Sequence, residues 1–360
     1  MISYSMVDNQ YKKEKNMKKR IIFIPFLLCF LLVCGLLPGC SSDESIENSD
    51  GQIILNITHL ASESDPIHQG WVFLKNELEE RSNGKFKVTI YANKSISNSD
   101  NENAEKVQQG ICEMTSVPTS SLAAIGNIKE YQVFDYPYLF STYDEFYRVL
   151  DSDLAKGWSD ELTKAVGIKA IGGYTLGWCS VGSTKKLDKL SDYKGQKIRT
   201  LSSDLQIQTI NSFGSNATIV NYGEVFAALQ QGTVDGMMTS TGLFVSDKFY
   251  EVIDVLAVTK PTALLHVPIV NAEWYNKLPE DMREIYDECM IDYLDAVRSY
   301  EEEYDKKALK TIEESGTKVI QYDDNQLQEF KAASEEVYKK SGDVAGKRTV
   351  DKVRSFLQSK

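Results

Sequence analysis

Between Gln52 and Val117 the spacing of apolar residues switches repeatedly between two periods, and those switches restrict the fold more than any other feature of the chain. Ile53, Leu55 and Ile57 alternate, as in a strand with one buried face. Asp65-Pro66 then supplies an N-cap and first-turn pair, and Ile67, Trp71, Leu74 and Leu78 recur at helical spacing until Gly84. Phe86, Val88 and Ile90 return to alternation, a helix is expected from about Asn101 to Gln109, and a further strand from Ile111 to Val117. Strand, helix and strand in this order build a largely parallel sheet covered by helices, so the expected class is α/β.

The same grammar returns in the second half of the chain. Lys194-Gly195-Gln196-Lys197-Ile198-Arg199 sets a guanidinium on a short β-prone segment just after a turn, and Arg199 is the only arginine between Arg148 and Arg283. A rigidly mounted planar fork of this kind can grip a carboxylate with two parallel hydrogen bonds. Gly223 to Gln231 reads as a helix, Gly232 as its left-handed stop and Val234-Asp235-Gly236 as the start of a strand. Strands are also expected at 168–174, 217–220 and 263–270. The octapeptide starting at Val107 echoes the one starting at Leu229, which suits two domains of like topology. Length points the same way. The expected borders are 52–170 for one α/β domain, completed by part of 250–320, and 171–270 for the other. Residues 271–360 would hold a long bridging helix and C-terminal helices. That long helix opens at Leu278-Pro279-Glu280-Asp281 and carries an apolar stripe to Ile312. About 30 residues span roughly 45 Å, enough to brace two domains, with a coiled-coil dimer seam as the competing reading. The aromatic block Phe134 to Phe140 reads as core beneath the domain junction.

The N-terminus reads as an address. Lys18-Lys19-Arg20 precedes an apolar run from Ile21 to Leu37, and Leu37-Pro38-Gly39-Cys40 leads into a polar, acidic linker to Gly51. This is the layout of a secretory signal, and the cysteine at its end resembles a bacterial lipoprotein signal, cleaved before a lipid-bearing Cys40. An uncleaved anchor is the alternative. Met17 is an equally serviceable start. Either way the body belongs outside the cytoplasmic membrane. Overall the chain has 40 basic and 52 acidic residues, a net charge of −12, which repels phosphate backbones and leaves no footprint for nucleic acid. Cys112, Cys179 and Cys289 are too far apart for a disulfide framework or zinc site, and His59, His68 and His266 form no paired-ligand motif. No metalloprotease, nucleophile-elbow, dinucleotide or P-loop motif occurs. Neither a metal nor a cofactor is expected, nor an enzyme.

A cleft between two α/β domains remains, the ordinary place for a small ligand. From about Ile53 to Thr317 the order of motifs resembles the solute-binding proteins of TRAP transporters, the DctP family. The matching features are the Ser64-Asp65-Pro66 turn, Gln109-Gly110, the Phe134 to Phe140 block and Lys194 to Arg199. Gly223-Glu224 through Gly236, Phe249 to Val252, and Trp274 with Leu278-Pro279 follow in the family's order. The resemblance implies a periplasmic-binding-protein fold closing on a small organic acid, a long helix crossing both domains, and Arg199 as the carboxylate-gripping residue. It also implies delivery to a permease of one small and one large membrane subunit. A ligand sensor presenting an organic acid to a membrane receptor is the alternative. The chain departs from many relatives by carrying Cys179, after Gly177-Trp178, where they have a second arginine, and Thr239 where they have an amide. His59 stands at a polar pocket position and Tyr222 at an aromatic one. Trp178 and Met238 are expected to make the pocket more apolar, and Thr119, Ser202 and Tyr174 complete its expected lining. One cation among apolar walls predicts a monocarboxylate with an apolar or aromatic body.

Overall fold

The computed structural model describes residues 46–340 and 344–359, so the expected signal and Cys40 lie outside the described residues. Residues 46–51 do not behave as a free linker. Glu47 pairs with Ile53 as a β-bridge, Lys85 reaches Glu47 at 2.8 Å, and Ile46 packs on the core.

In chain order the regular elements are β1 (Ile53–Thr58), α1 (Pro66–Arg81), β2 (Phe86–Tyr91), α2 (Asp100–Gln108), β3 (Met114–Pro118), α3 (Thr119–Gly126), α4 (Tyr143–Leu150) and α5 (Asp153–Val166). There follow β4 (Ile168–Ala170), β5 (Tyr174–Ser183), β6 (Lys197–Thr200), α6 (Asp204–Ser212), β7 (Asn216–Ile219), α7 (Val225–Gln230), β8 (Gly236–Ser240) and α8 (Thr241–Ser246). The chain ends with β9 (Val255–Val258), β10 (Ala263–Asn271), α9 (Ala272–Asn276), α10 (Glu280–Glu314), β11 (Lys318–Gln321), α11 (Asp324–Lys340) and α12 (Lys347–Gln358).

The local signals explain most of these boundaries. The Asp65 carboxylate accepts from the Ile67 amide and Pro66 occupies the first turn of α1. Gly110 and Gly232 adopt left-handed conformations just past α2 and α7. The segment expected to be one strand at 168–174 is two, because Gly172 turns left-handed between β4 and β5.

Hydrogen bonds link the strands in the order β2-β1-β3-β10-β5-β8-β6-β7, with β4 on β10 and β9 on β5, and β11 beyond β9. β1 is parallel to β2 and β3, and β6 is parallel to β7 and β8. The long strands β5 and β10 run antiparallel to their neighbours and join these two parallel groups.

Helix α10 has 35 residues, about 52 Å of helix. Its stripe, including Tyr286, Cys289, Tyr293 and Val297, is covered from within the chain. Trp71 of α1 stacks on Tyr293 with ring centroids 4.6 Å apart. A Cβ on Gly70 would lie 3.0 Å from Val297, so glycine lets the two helices touch closely there. Further along, Tyr304 lies against Gly242 of α8, on the side of the second parallel group. The stripe therefore serves as a brace and not as a seam with another chain. In the aromatic block, Phe134 and Phe140 pack with Phe146 and Trp158. Asp135, buried, accepts from Ser203 Oγ at 2.7 Å and Gln206 Nε2 at 2.9 Å at the start of α6.

Candidate functional site

In sheets with parallel strands, ligands collect at the strands' carboxyl ends, where the connections diverge. Four of the parallel strands deliver a residue to one cavity in this way: His59 follows β1, Pro118 ends β3, and Arg199 and Thr239 stand next to last in β6 and β8. Asp100 at the start of α2, Tyr222 just before α7, and His266 of β10 close it. The remaining walls are aliphatic and include Leu60, Ile67, Leu176, Leu243 and Leu264.

Arg199 is only 2% exposed. Its Nε donates to the Val220 carbonyl at 3.0 Å, and its guanidinium carbon lies 5.7 Å from the Tyr222 ring centroid, but Nη1 has no partner among the protein atoms. Burial brings its pKa down to about 10, with Tyr222 and Asp100 pulling the other way. Asp100 is held up at about 7 by burial, against the pull of Arg199. A charged fork with a free donor, kept dry, is what a carboxylate ligand requires. Tyr222 is fixed by donating its hydroxyl to Asp247, which also lies 3.9 Å from Lys94. A second cavity shares Arg199, Asp100, Leu201 and Tyr222 and is bordered by Ser202, so the guanidinium stands between two spaces.

The structure therefore brings Arg199, Tyr222, Thr239 and His59 together, with Ser202 beyond them, and leaves five expected residues elsewhere. Met238 and Cys179 point into the core, each about 1% exposed, because neighbours alternate across a strand and Thr239 takes the cavity side of β8. Trp178 stacks on Tyr143 and packs against Phe146. Its side of β5 is reset at Gly177, whose φ of +102° coincides with a register shift against β10. Thr119 is buried at the head of α3, and Tyr174 stands behind the cavity, its hydroxyl 2.6 Å from Ser116 Oγ and its ring centroid 6.3 Å from that of His266. Apart from Tyr222 and the two imidazoles, the apolar walls are thus aliphatic. His266 and Asp100 belong to the cavity and were not expected there. β10 is buried at all but its last position, so its pattern gives no inner or outer face, and an acid in a helix's first turn reads as an end charge.

Over residues 57–343 the sequence matches the family described as bacterial extracellular solute-binding protein, family 7, or DctP. The chain belongs to that family. Membership places it among TRAP-type solute-binding proteins of the extracytoplasmic space and not among enzymes. It is 26% identical, over 74% of its own length and 79% of the relative's, to the C4-dicarboxylate-binding periplasmic protein DctP of Rhodobacter capsulatus. A sugar acid binding protein of Advenella mimigardefordensis, in complex with galactonate, has the same fold, with a TM-score of 0.81, 23% identity and coverage of 85% of this chain and 98% of that one. A TRAP solute binding protein of Sulfurospirillum deleyianum with bound succinate superposes with a TM-score of 0.79, at 26% identity and 84% and 98% coverage. Among the described residues of this DctP-family protein, no helix is long and apolar enough to cross a membrane.

Proposed function

We propose that the protein captures a small monocarboxylate through Arg199 and delivers it to a TRAP permease of one small and one large membrane subunit. The observation that carries this reading is the buried guanidinium with a free Nη1, the one cation among the described residues lining the main cavity. A second carboxylate would find Asp100 and neutral groups there, at a cost of several kcal/mol for a desolvated unpaired charge. Relatives of comparable identity include a C4-dicarboxylate-binding protein and a complex with galactonate, so cavity chemistry and not kinship supports the choice. In this reading the two domains, 52–170 and 171–270, close around the acid under the brace of α10, as hinged receptors do. Lipid on Cys40 would hold the protein at the outer face of the cytoplasmic membrane, close to the permease.

A thermal-shift panel of aliphatic, aromatic, keto and dicarboxylic acids tests the assignment. At about 100 times its dissociation constant a ligand stabilises by roughly 2.7 kcal/mol, so a monocarboxylate should raise the midpoint by about 2–8 °C. Shifts confined to dicarboxylates would overturn it.

A further inference from the structure

Arg199 accounts for one end of a ligand, and the rest of the cavity holds two imidazoles. His59 is 3% exposed; its Nε2 lies 3.2 Å from His68 Nδ1, while its own Nδ1 has no protein partner. His266 is 7% exposed, and its Nδ1 has no protein partner either. Burial lowers the pKa of both to about 3, with His68 adding to the effect on His59, so both rings are neutral at neutral pH. Ser116 is committed to Tyr174 and Tyr222 to Asp247, which leaves Thr239 as the further hydroxyl lining the cavity.

A neutral imidazole offers one donor and one acceptor, with the tautomer deciding which nitrogen does which. Both free nitrogens are already out of reach of water, so a wholly apolar ligand would leave them unsatisfied. A second carboxylate can only accept, so it would suit a donating nitrogen and repel an accepting one, with no positive charge to offset its desolvation. A hydroxyl donates and accepts, and so satisfies either tautomer at either ring.

We propose that His59 and His266 are specificity-determining residues that read hydroxyl groups on the body of the ligand, which makes the ligand a hydroxylated aliphatic monocarboxylate. This rests on the monocarboxylate reading and narrows it. It also replaces the apolar or aromatic body expected from the sequence, since Trp178 and Met238 lie outside the cavity.

The test is calorimetric titration of the purified protein with matched pairs of short aliphatic acids, each hydroxylated acid beside its deoxy analogue. Wild type should prefer the hydroxylated member of the best pair by at least about tenfold, the worth of one good hydrogen bond to a group otherwise left unpaired. His266→Phe and His59→Phe should each reduce that preference severalfold by weakening the hydroxylated acid and sparing its analogue. His266→Gln, which can still donate and accept, should keep part of it and serves if the phenylalanine variant does not fold. A wild-type preference below about twofold in every pair, or a preference untouched in the histidine variants, overturns the proposal. Failure of the underlying reading looks different: Arg199→Met would then bind both members of each pair as wild type does, or wild type would bind neither.

Discussion

Replacing Arg199 by methionine separates a ligand-binding arginine from a structural one, because the two roles predict opposite pairs of results. In the free protein the guanidinium is 2% exposed, and the fall of its pKa to about 10 corresponds to a penalty of roughly 3 kcal/mol for keeping the charge buried. Methionine removes that penalty and fills much of the same volume. It also loses the hydrogen bond to Val220, about 1.5–3 kcal/mol for a charged donor, and the Tyr222 contact, about 0.5–2 kcal/mol. The terms nearly cancel, so the stability of the free protein should change by no more than about 2 kcal/mol. Binding has no such compensation: a carboxylate deprived of its buried partner loses about 2–5 kcal/mol, or roughly thirtyfold to several thousandfold in Kd. Urea denaturation without ligand and calorimetry with the strongest acid of the panel measure the two quantities separately. A Kd within threefold of wild type, together with a stability loss above about 3 kcal/mol, would refute the reasoning and make Arg199 a structural residue.

Two further outcomes depend on pH. Because the Asp100 carboxyl titrates near 7 beside Arg199, its ionisation places a like charge near a bound carboxylate; affinity should therefore strengthen as pH falls from 8 to 6, and Asp100→Asn should flatten that dependence in calorimetry. Glu301, 3% exposed on α10 with Oε1 unpartnered, has its pKa pushed well above the usual carboxyl range by burial and by the charges of Asp65 and Asp305. A raised folded-state pKa destabilises increasingly as pH climbs above the ordinary carboxyl value. Glu301→Gln should therefore raise the thermal midpoint at pH 7, with the gain vanishing near pH 4. An equal gain at both pH values would point to packing and not to charge.

The readable parts of the site are those set by short-range signals. Arg199 follows a glycine turn on a strand too short to place it anywhere but near the strand's end, and Asp65-Pro66 starts α1 where the sequence indicates. Strand β5 was not legible beyond Tyr174, because a glycine and a bulge interrupt its alternation, and the same interruption sends Trp178 to the Tyr143 side. Strands β9 and β11 are four residues each and exist through pairing with each other and with β5.

By itself the sequence determined the α/β class, the alternation of strands and helices at its start, the long brace and the strand that carries Arg199, because period and punctuation act over a few residues. Tertiary packing alone brought His266 and Asp100 into the cavity with Arg199 and kept Met238, Cys179 and Trp178 out of it. The wall of a cavity is as buried as the core, so Met238 and Thr239, adjacent in one strand and about equally hidden, differ only in what stands opposite them. His266 enters because β10 lies between two strands distant in the chain, and no local pattern records that neighbourhood.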